Sequence, residues 1–171
     1  LLHYGEAFPD YIRAFEPARS VPYLADVARL ENARMIAYHA ADAPLLDPKA
    51  LSGLGEEAAA ALCLELHPSV SVIQSDFPIL TIWSMNEGLI PLGPVDLKQG
   101  ETVLVYRPHL QILMHKLSSG AAAFLTSLSN GQPLVEACNH ALELEADFDV
   151  GSNLTALLFG GAVTAMKLDK S

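Results

Sequence analysis

Cysteine is scarce in this chain: two residues, Cys63 and Cys138, among 171. Two thiols cannot build the disulfide framework of a small secreted domain, and the expectation is a pair of buried thiols in a reducing cytosol. Basic residues are also few, ten Lys and Arg against twenty Asp and Glu, for a net charge of −10. The imbalance is spread along the chain, with 11 acids and 5 bases in residues 1–85 and 9 acids and 5 bases in residues 86–171. Both halves repel a duplex, so nonspecific DNA binding, which runs on Lys and Arg neutralising phosphates, is disfavoured. No apolar run is long enough to cross a bilayer. The longest, Leu154 to Val163, is interrupted by Thr155, Gly160 and Gly161 and has about half of the ~20 residues a spanning helix needs. The opening Leu1-Leu2-His3-Tyr4-Gly5 is too short and polar for the core of a signal peptide. Absent too are the Gly-x-Ser-x-Gly elbow, the Gly-x-Gly-x-x-Gly fingerprint and the phosphate-binding Gly-Lys-Ser/Thr loop, which removes the sequence signatures of three large enzyme classes. With 51% hydrophobic and 18% charged residues, the chain is no disordered segment and suits one domain or two small ones sharing a core.

What is there begins with helices. Phe8-Pro9-Asp10 opens a short helix over Asp10 to Glu16 that Pro17 stops. Ser20 is placed as N-cap, with Pro22 in the first turn, of a long helix over Tyr23 to Ala40. Its Tyr23, Val27, Leu30, Ala33, Ala37 and Ala40 recur at three- and four-residue spacing and mark the inner face. A loop over Asp42 to Pro48, a short turn over Lys49 to Leu54 and an alanine run after Glu56-Glu57 follow.

Then the period changes. Leu62 to His67 alternates, with Leu62, Leu64 and Leu66 on one face, and Ser69 to Gln74 alternates again. A helix starts at Asp76-Phe77-Pro78 and ends at Asn86-Glu87-Gly88. After a loop over 89–100, Thr102 to Arg107 is a strand, Pro108-His109 a tight connection and Leu110 to Leu117 the returning strand. Ser118 caps a helix over Ser119 to Leu128; another runs from Leu134 to Glu145; a last one runs from Asn153 to Met166, loosened by Gly160-Gly161. The expected fold class is α+β. A helical segment occupies 1–60, and 61–171 holds a small antiparallel sheet, the hairpin plus the strand around Val70 to Gln74, with three C-terminal helices in a winged-helix-like order.

No constellation of side chains announces a reaction. His3, His39, His67, His109, His115 and His140 are scattered, without the close spacing of a metal site. Cys63, Glu65 and His67 share one strand face and read as an exposed polar stripe. The acids Glu143, Glu145, Asp147 and Asp149 lack the Gly and terminal Glu of a calcium loop and read as solvated. Trp83 reads as a core or interface anchor. The helix Leu134 to Glu145 carries three Glu and no Lys or Arg, unlike a helix that reads bases. No catalytic residue, metal or cofactor is expected.

Several blocks together resemble one bacterial family. They are Tyr4-Gly5-Glu6-Ala7-Phe8-Pro9-Asp10-Tyr11, then Pro22 to Glu31, Leu66-His67-Pro68-Ser69 and Phe77 to Trp83. In the second half they are Arg107-Pro108, Ala123-Phe124-Leu125, Leu128-x-x-Gly131, Ala137 to Ala141 and Asp147-Phe148-Asp149. Members of that family are commonly labelled DNA-binding-domain proteins, and it includes the partner subunits of multi-iron oxygenases that modify methanobactin- and bufferin-type peptides. The label belongs to a helical domain ahead of the Tyr-Gly-Glu-x-Phe-Pro motif. This chain begins almost at that motif, so DNA binding by it is not expected.

The resemblance implies a cytoplasmic, non-catalytic accessory subunit with two partners. Its helical half would bind a TIM-barrel multi-iron oxygenase. Its sheet would hold the leader of a ribosomally made precursor peptide by strand addition. The edge expected to do so is Leu110, Gln111, Ile112, Leu113, Met114, His115, Lys116 and Leu117, with the last helix completing the groove, and a proline at Leu113 is expected to abolish leader binding without unfolding the domain. The alternatives are a transcriptional regulator whose DNA-binding domain is absent from this chain and, third, a stand-alone enzyme.

Overall fold

The computed structural model describes residues 5, 7–51 and 53–168. Tyr4 and Glu6 of the first resemblance block, His3, and Ser52 of the expected turn lie outside these residues. The order is α1 (Phe8–Ala14), α2 (Leu24–His39), α3 (Glu56–Ala60), β1 (Leu62–Leu66), β2 (Ser71–Ser75), α4 (Ile79–Asn86), β3 (Glu101–Tyr106), β4 (Leu113–Leu117), α5 (Ser119–Ser129), α6 (Leu134–Leu144), α7 (Val150–Phe159) and β5 (Val163–Leu168). The class is α+β, with two antiparallel sheets.

Pro9 sits in the first turn of α1, where its missing N–H costs nothing. Ser20 is not the cap of α2. Residues 18–24 run through successive turns, Val21 N–H to Ala18 O and Leu24 N–H to Val21 O, and the helix starts only after Tyr23. Leu30, Ala33 and Ala37 then form its buried stripe.

The larger sheet has the order β2-β3-β4, in the register Ser71↔Val105↔Met114. The alternation of β3 divides its side chains between two cores. Val103 and Val105 pack with Leu30, Ala33, Ala37, Ile79 and Trp83, under α2 and α4. Leu104 and Tyr106 pack with Leu62, Leu64, Phe124 and Leu157 on the other side, under α5, α6, α7 and the second sheet. Trp83 is a core residue whose Nε1 donates to Glu31, with the Arg34 guanidinium 4.4 Å above its ring.

Two expected elements need correction. The last helix does not reach Met166. Gly160 ends α7, Gly161 turns at φ +74°, and the chain returns as β5. A left-handed residue after a helix terminates it, and glycine adopts that conformation without a Cβ clash. β5 pairs antiparallel with β1, Leu64↔Met166, which provides the partner β1 lacked in the expected three-stranded arrangement. The returning hairpin strand, in turn, starts at Leu113 rather than Leu110. Residues 108–111 form a tight turn closed by Gln111 N–H to Pro108 O, with His109 at φ +47° and Leu110 at φ +66°, so the connection is longer than Pro108-His109.

Candidate functional site: the free edge of the sheet

β4 is an outer strand, and the direction of its main-chain groups follows from its neighbour. Glu101 N–H donates to Phe77 O (3.2 Å) and Arg107 N–H to Ser69 Oγ (2.9 Å), both toward the β2 side. Hydrogen bonding alternates along an antiparallel strand. Thr102, Leu104 and Tyr106 therefore bond toward β4, where their partners are Leu117, His115 and Leu113. Met114 and Lys116 are left with N–H and C=O aimed away from the sheet.

Of the expected edge, Leu113 to Leu117 lie in the strand. Leu110, Gln111 and Ile112 lie in the approach to it, with Leu110 73% exposed and Ile112 packed toward α2 and α4. The opposite edge is less open: the Arg29 guanidinium takes the Gln74 carbonyl at 3.3 Å, and Ser75 Oγ donates to Asp26 at 2.7 Å.

Beneath the β4 edge lies a cavity of about 210 Å³. Leu104, Tyr106, His115 and Leu117 form its sheet wall. Phe124 of α5 and Asn153, Ala156 and Leu157 of α7 close it. His115 and Ala156 are exposed at the mouth, whereas Leu104, Tyr106, Phe124 and Leu157 are buried. Burial pushes the Tyr106 phenol above its ordinary pKa. The expected groove between β4 and the last helix thus has an apolar chamber in its floor. Sequence reasoning placed the last helix on this groove but did not single out Asn153, Ala156 and Leu157 as the wall. The available signal was charge: none of the twenty Asp and Glu falls in residues 102–135 or 150–168.

No protein-family model matches the chain, and no curated protein sequence matches it.

The other constellations have structural tasks. His67 is not part of an exposed stripe. It is 6% exposed and accepts the Ser69 N–H at Nδ1, 3.1 Å away, with Ser69 Oγ at 2.8 Å. Burial, then the Arg107 charge, holds its pKa below the ordinary 6.5. Glu65 pairs with Lys167 across the β1–β5 ladder. Two of the four clustered acids also serve as helix caps, the exposed Asp149 among them. Glu145 accepts the Gly120 N–H at 2.8 Å at the start of α5, and Asp149 accepts Ser152 N–H at 2.9 Å at the start of α7. The Ser118 hydroxyl and then the Gly120 N–H hold the Glu145 carboxyl below its ordinary pKa. The Ser152 hydroxyl and N–H do the same for Asp149.

A second, wider cleft of about 690 Å³ lies toward β2, and in it Ser127 Oγ stands 2.9 Å from His140 Nδ1. With the buried Ser69–His67 pair, whose hydroxyl already accepts the Arg107 N–H, that is the nearest approach to a nucleophile and base among the described residues. Ser127 lies inside α5, and among the described residues no carboxylate orients the imidazole. Among the described residues, no three His, Cys, Asp or Glu stand together as a metal site, and no helix is long and apolar enough to cross a membrane.

Proposed function

We propose that this chain is a non-catalytic partner protein. It holds the leader of a ribosomally made precursor peptide as an added strand on β4 and presents the peptide to a TIM-barrel multi-iron oxygenase in the cytoplasm. The observation that carries the reading is the pair of outward main-chain groups on Met114 and Lys116, set beside an apolar groove. Main-chain bonds supply affinity in such a complex, and pockets under alternate residues supply selectivity.

The oxygenase would dock on the helical half. There Phe8, Tyr11 and Phe15 form a ladder of stacked rings along α1, with centroids 6.5 and 5.5 Å apart, and all three are exposed. Aromatic clusters of this kind are enriched at interfaces. The family resemblance supports both assignments.

The test is co-expression with a TIM-barrel multi-iron oxygenase and its precursor peptide, followed by size exclusion. The expected result is a one-to-one complex that retains precursor peptide, and an Asp at Tyr11 releases the oxygenase. A chain that elutes alone in the presence of the oxygenase and peptide rejects the reading.

A further inference from the structure

Strand addition explains the edge of β4 but not the chamber beneath it. We infer that this chamber is a specificity pocket for one bulky apolar side chain of the added strand, leucine- to phenylalanine-sized, at the position facing His115. The inference rests on the strand-addition reading and names what the peptide must carry.

Parity sets the position. Leu113, His115 and Leu117 share the face of Leu104 and Tyr106, and Met114 and Lys116 share the opposite face. A strand bonded to the outward groups of Met114 and Lys116 sends every second side chain toward the chamber, over His115. Its neighbours point to the α2 side. The size is suitable: a dry cavity of ~150 Å³ in a protein core accepts a benzene ring, and this one measures about 210 Å³. Its inner wall is Leu104, Tyr106, Phe124 and Leu157, with Asn153 the one amide of the lining.

The charge pattern identifies a surface built to be covered. Residues 102–135 and 150–168 supply the chamber and its rim without one carboxylate, in a chain of net charge −10. Covering a carboxylate costs desolvation, and interface centres are depleted of charge for that reason. An incoming peptide strand meets no such cost here.

The test has two arms on the full chain. First, isotope-labelled protein is titrated with N-acetyl-leucine amide and with N-acetyl-alanine amide. The leucine probe is expected to shift the resonances of His115, Ala156 and Leu157 and the alanine probe to leave them. Ala156→Phe at the exposed mouth, or the smaller Ala156→Leu if that variant does not fold, is expected to abolish the shifts. Equal response to both probes, or none, overturns the pocket whatever becomes of strand addition.

Second, a displayed library of dodecapeptides is selected on the protein, and binders are tested for slowed exchange of the Met114 and Lys116 amides. Protected amides with an obligatory bulky apolar residue, whose replacement by Ala weakens binding on the order of thirtyfold in the native chain and not in Ala156→Phe, support the inference. Protected amides without such a residue overturn it and leave strand addition standing. Peptides that bind without protecting these amides overturn both. Protection that grows with protein concentration in the absence of peptide assigns the edge to a second copy of this chain and overturns the peptide as occupant.

Discussion

The guanidinium of Arg107, at the end of β3, donates through Nε to the carbonyl of Ala37, 2.7 Å away in the last turn of α2. Its Nη2 reaches Ala40 O at 2.7 Å and Asp42 at 2.8 Å. The last carbonyls of a helix have no partner within it, and a cation there also complements the helix dipole. One side chain thus closes α2 and fastens it to the sheet that carries the β4 edge. The Arg107 main-chain N–H meanwhile holds Ser69 Oγ, and Ser69 holds His67.

Replacement of Arg107 by Lys is expected to be costly despite the kept charge. Arg107 is 7% exposed, and a lysine ammonium cannot span three acceptors arrayed for a planar fork. Leaving buried carbonyls without a donor costs about 1–3 kcal/mol each. The expected loss in urea unfolding is about 2–4 kcal/mol, with the fluorescence of Trp83 reporting separation of α2 from α4. A loss under about 0.5 kcal/mol shows that the fork is dispensable.

His67 makes the fold sensitive to mild acid. In the unfolded chain its imidazole titrates near 6.5, and in the folded chain lower, because burial and then Arg107 oppose the cation. Asp42 acts weakly in the other direction. Between the two values the unfolded state binds more protons, so the stability His67 contributes is whole above about pH 6.5 and declines as pH falls toward the folded pKa. Protonation at Nδ1 also removes the acceptor for the Ser69 N–H. Unfolding midpoints measured at about pH 7.5, 6.5 and 5.5 are expected to fall for the native chain. They are expected to flatten for His67→Gln. A constant offset between the two proteins across that range removes His67 as the source.

Two helical glycines are expected to respond to alanine with opposite signs. A Cβ on Gly120 would lie 2.8 Å from Phe148 Cδ2 and 2.9 Å from Glu145 Cβ. Phe148 is buried against Phe124, so it cannot swing away. Gly120→Ala should cost about 1–3 kcal/mol, as overpacking does. A Cβ on Gly151, in the first turn of α7, meets only Asp149 Oδ1 at an ordinary 3.5 Å. Gly151→Ala should gain about 0.5–1 kcal/mol from helix propensity and lost chain entropy. Thermal melts of both variants read the signs directly, and a neutral Gly120→Ala contradicts the close approach that lets Glu145 cap α5.

These examples show what was legible in the chain and what was not. β3 stood out because Thr102-Val103-Leu104-Val105-Tyr106 is β-branched or aromatic at every position but Leu104, a local property. β5 did not. Leu154 to Met166 is apolar almost without break, and an apolar run does not distinguish helix from buried strand by period. The clue was Gly160-Gly161, read as a loosened helix where it is a stop. A second clue was β1, a strand without a partner in the expected sheet, since unpaired buried strands leave main-chain groups unsatisfied. The Arg107 fork and the Glu145 cap join residues 70 and 25 positions apart, and no spacing rule reaches that far. In the candidate site, the edge strand was visible in the hairpin pattern. The last helix was placed on the groove as well, but the chamber between them was not visible, because no spacing rule shows which α7 side chains meet the sheet.

The edge itself is tested by where a proline is placed. Proline removes one N–H and fixes φ near −65°. At Leu113 the lost N–H faces β3, opposite Tyr106. Contrary to the expectation that the domain stays folded, Leu113→Pro therefore breaks the sheet and should cost about 3 kcal/mol, whatever binds outside. At Lys116 the N–H faces outward, where edge strands tolerate proline. Lys116 also reaches Glu101 Oε1 at 3.3 Å, so Lys116→Gln serves as the reference. Lys116→Pro is expected to unfold within about 1 kcal/mol of Lys116→Gln. It is expected to bind fluorescein-labelled precursor leader at least about tenfold more weakly than the reference, since one main-chain bond is lost and the approach of the added strand is blocked. Equal anisotropy titrations for the two variants would mean that the leader lies elsewhere on the molecule. Loss of binding with retained stability shows that the outward amides of β4 hold it.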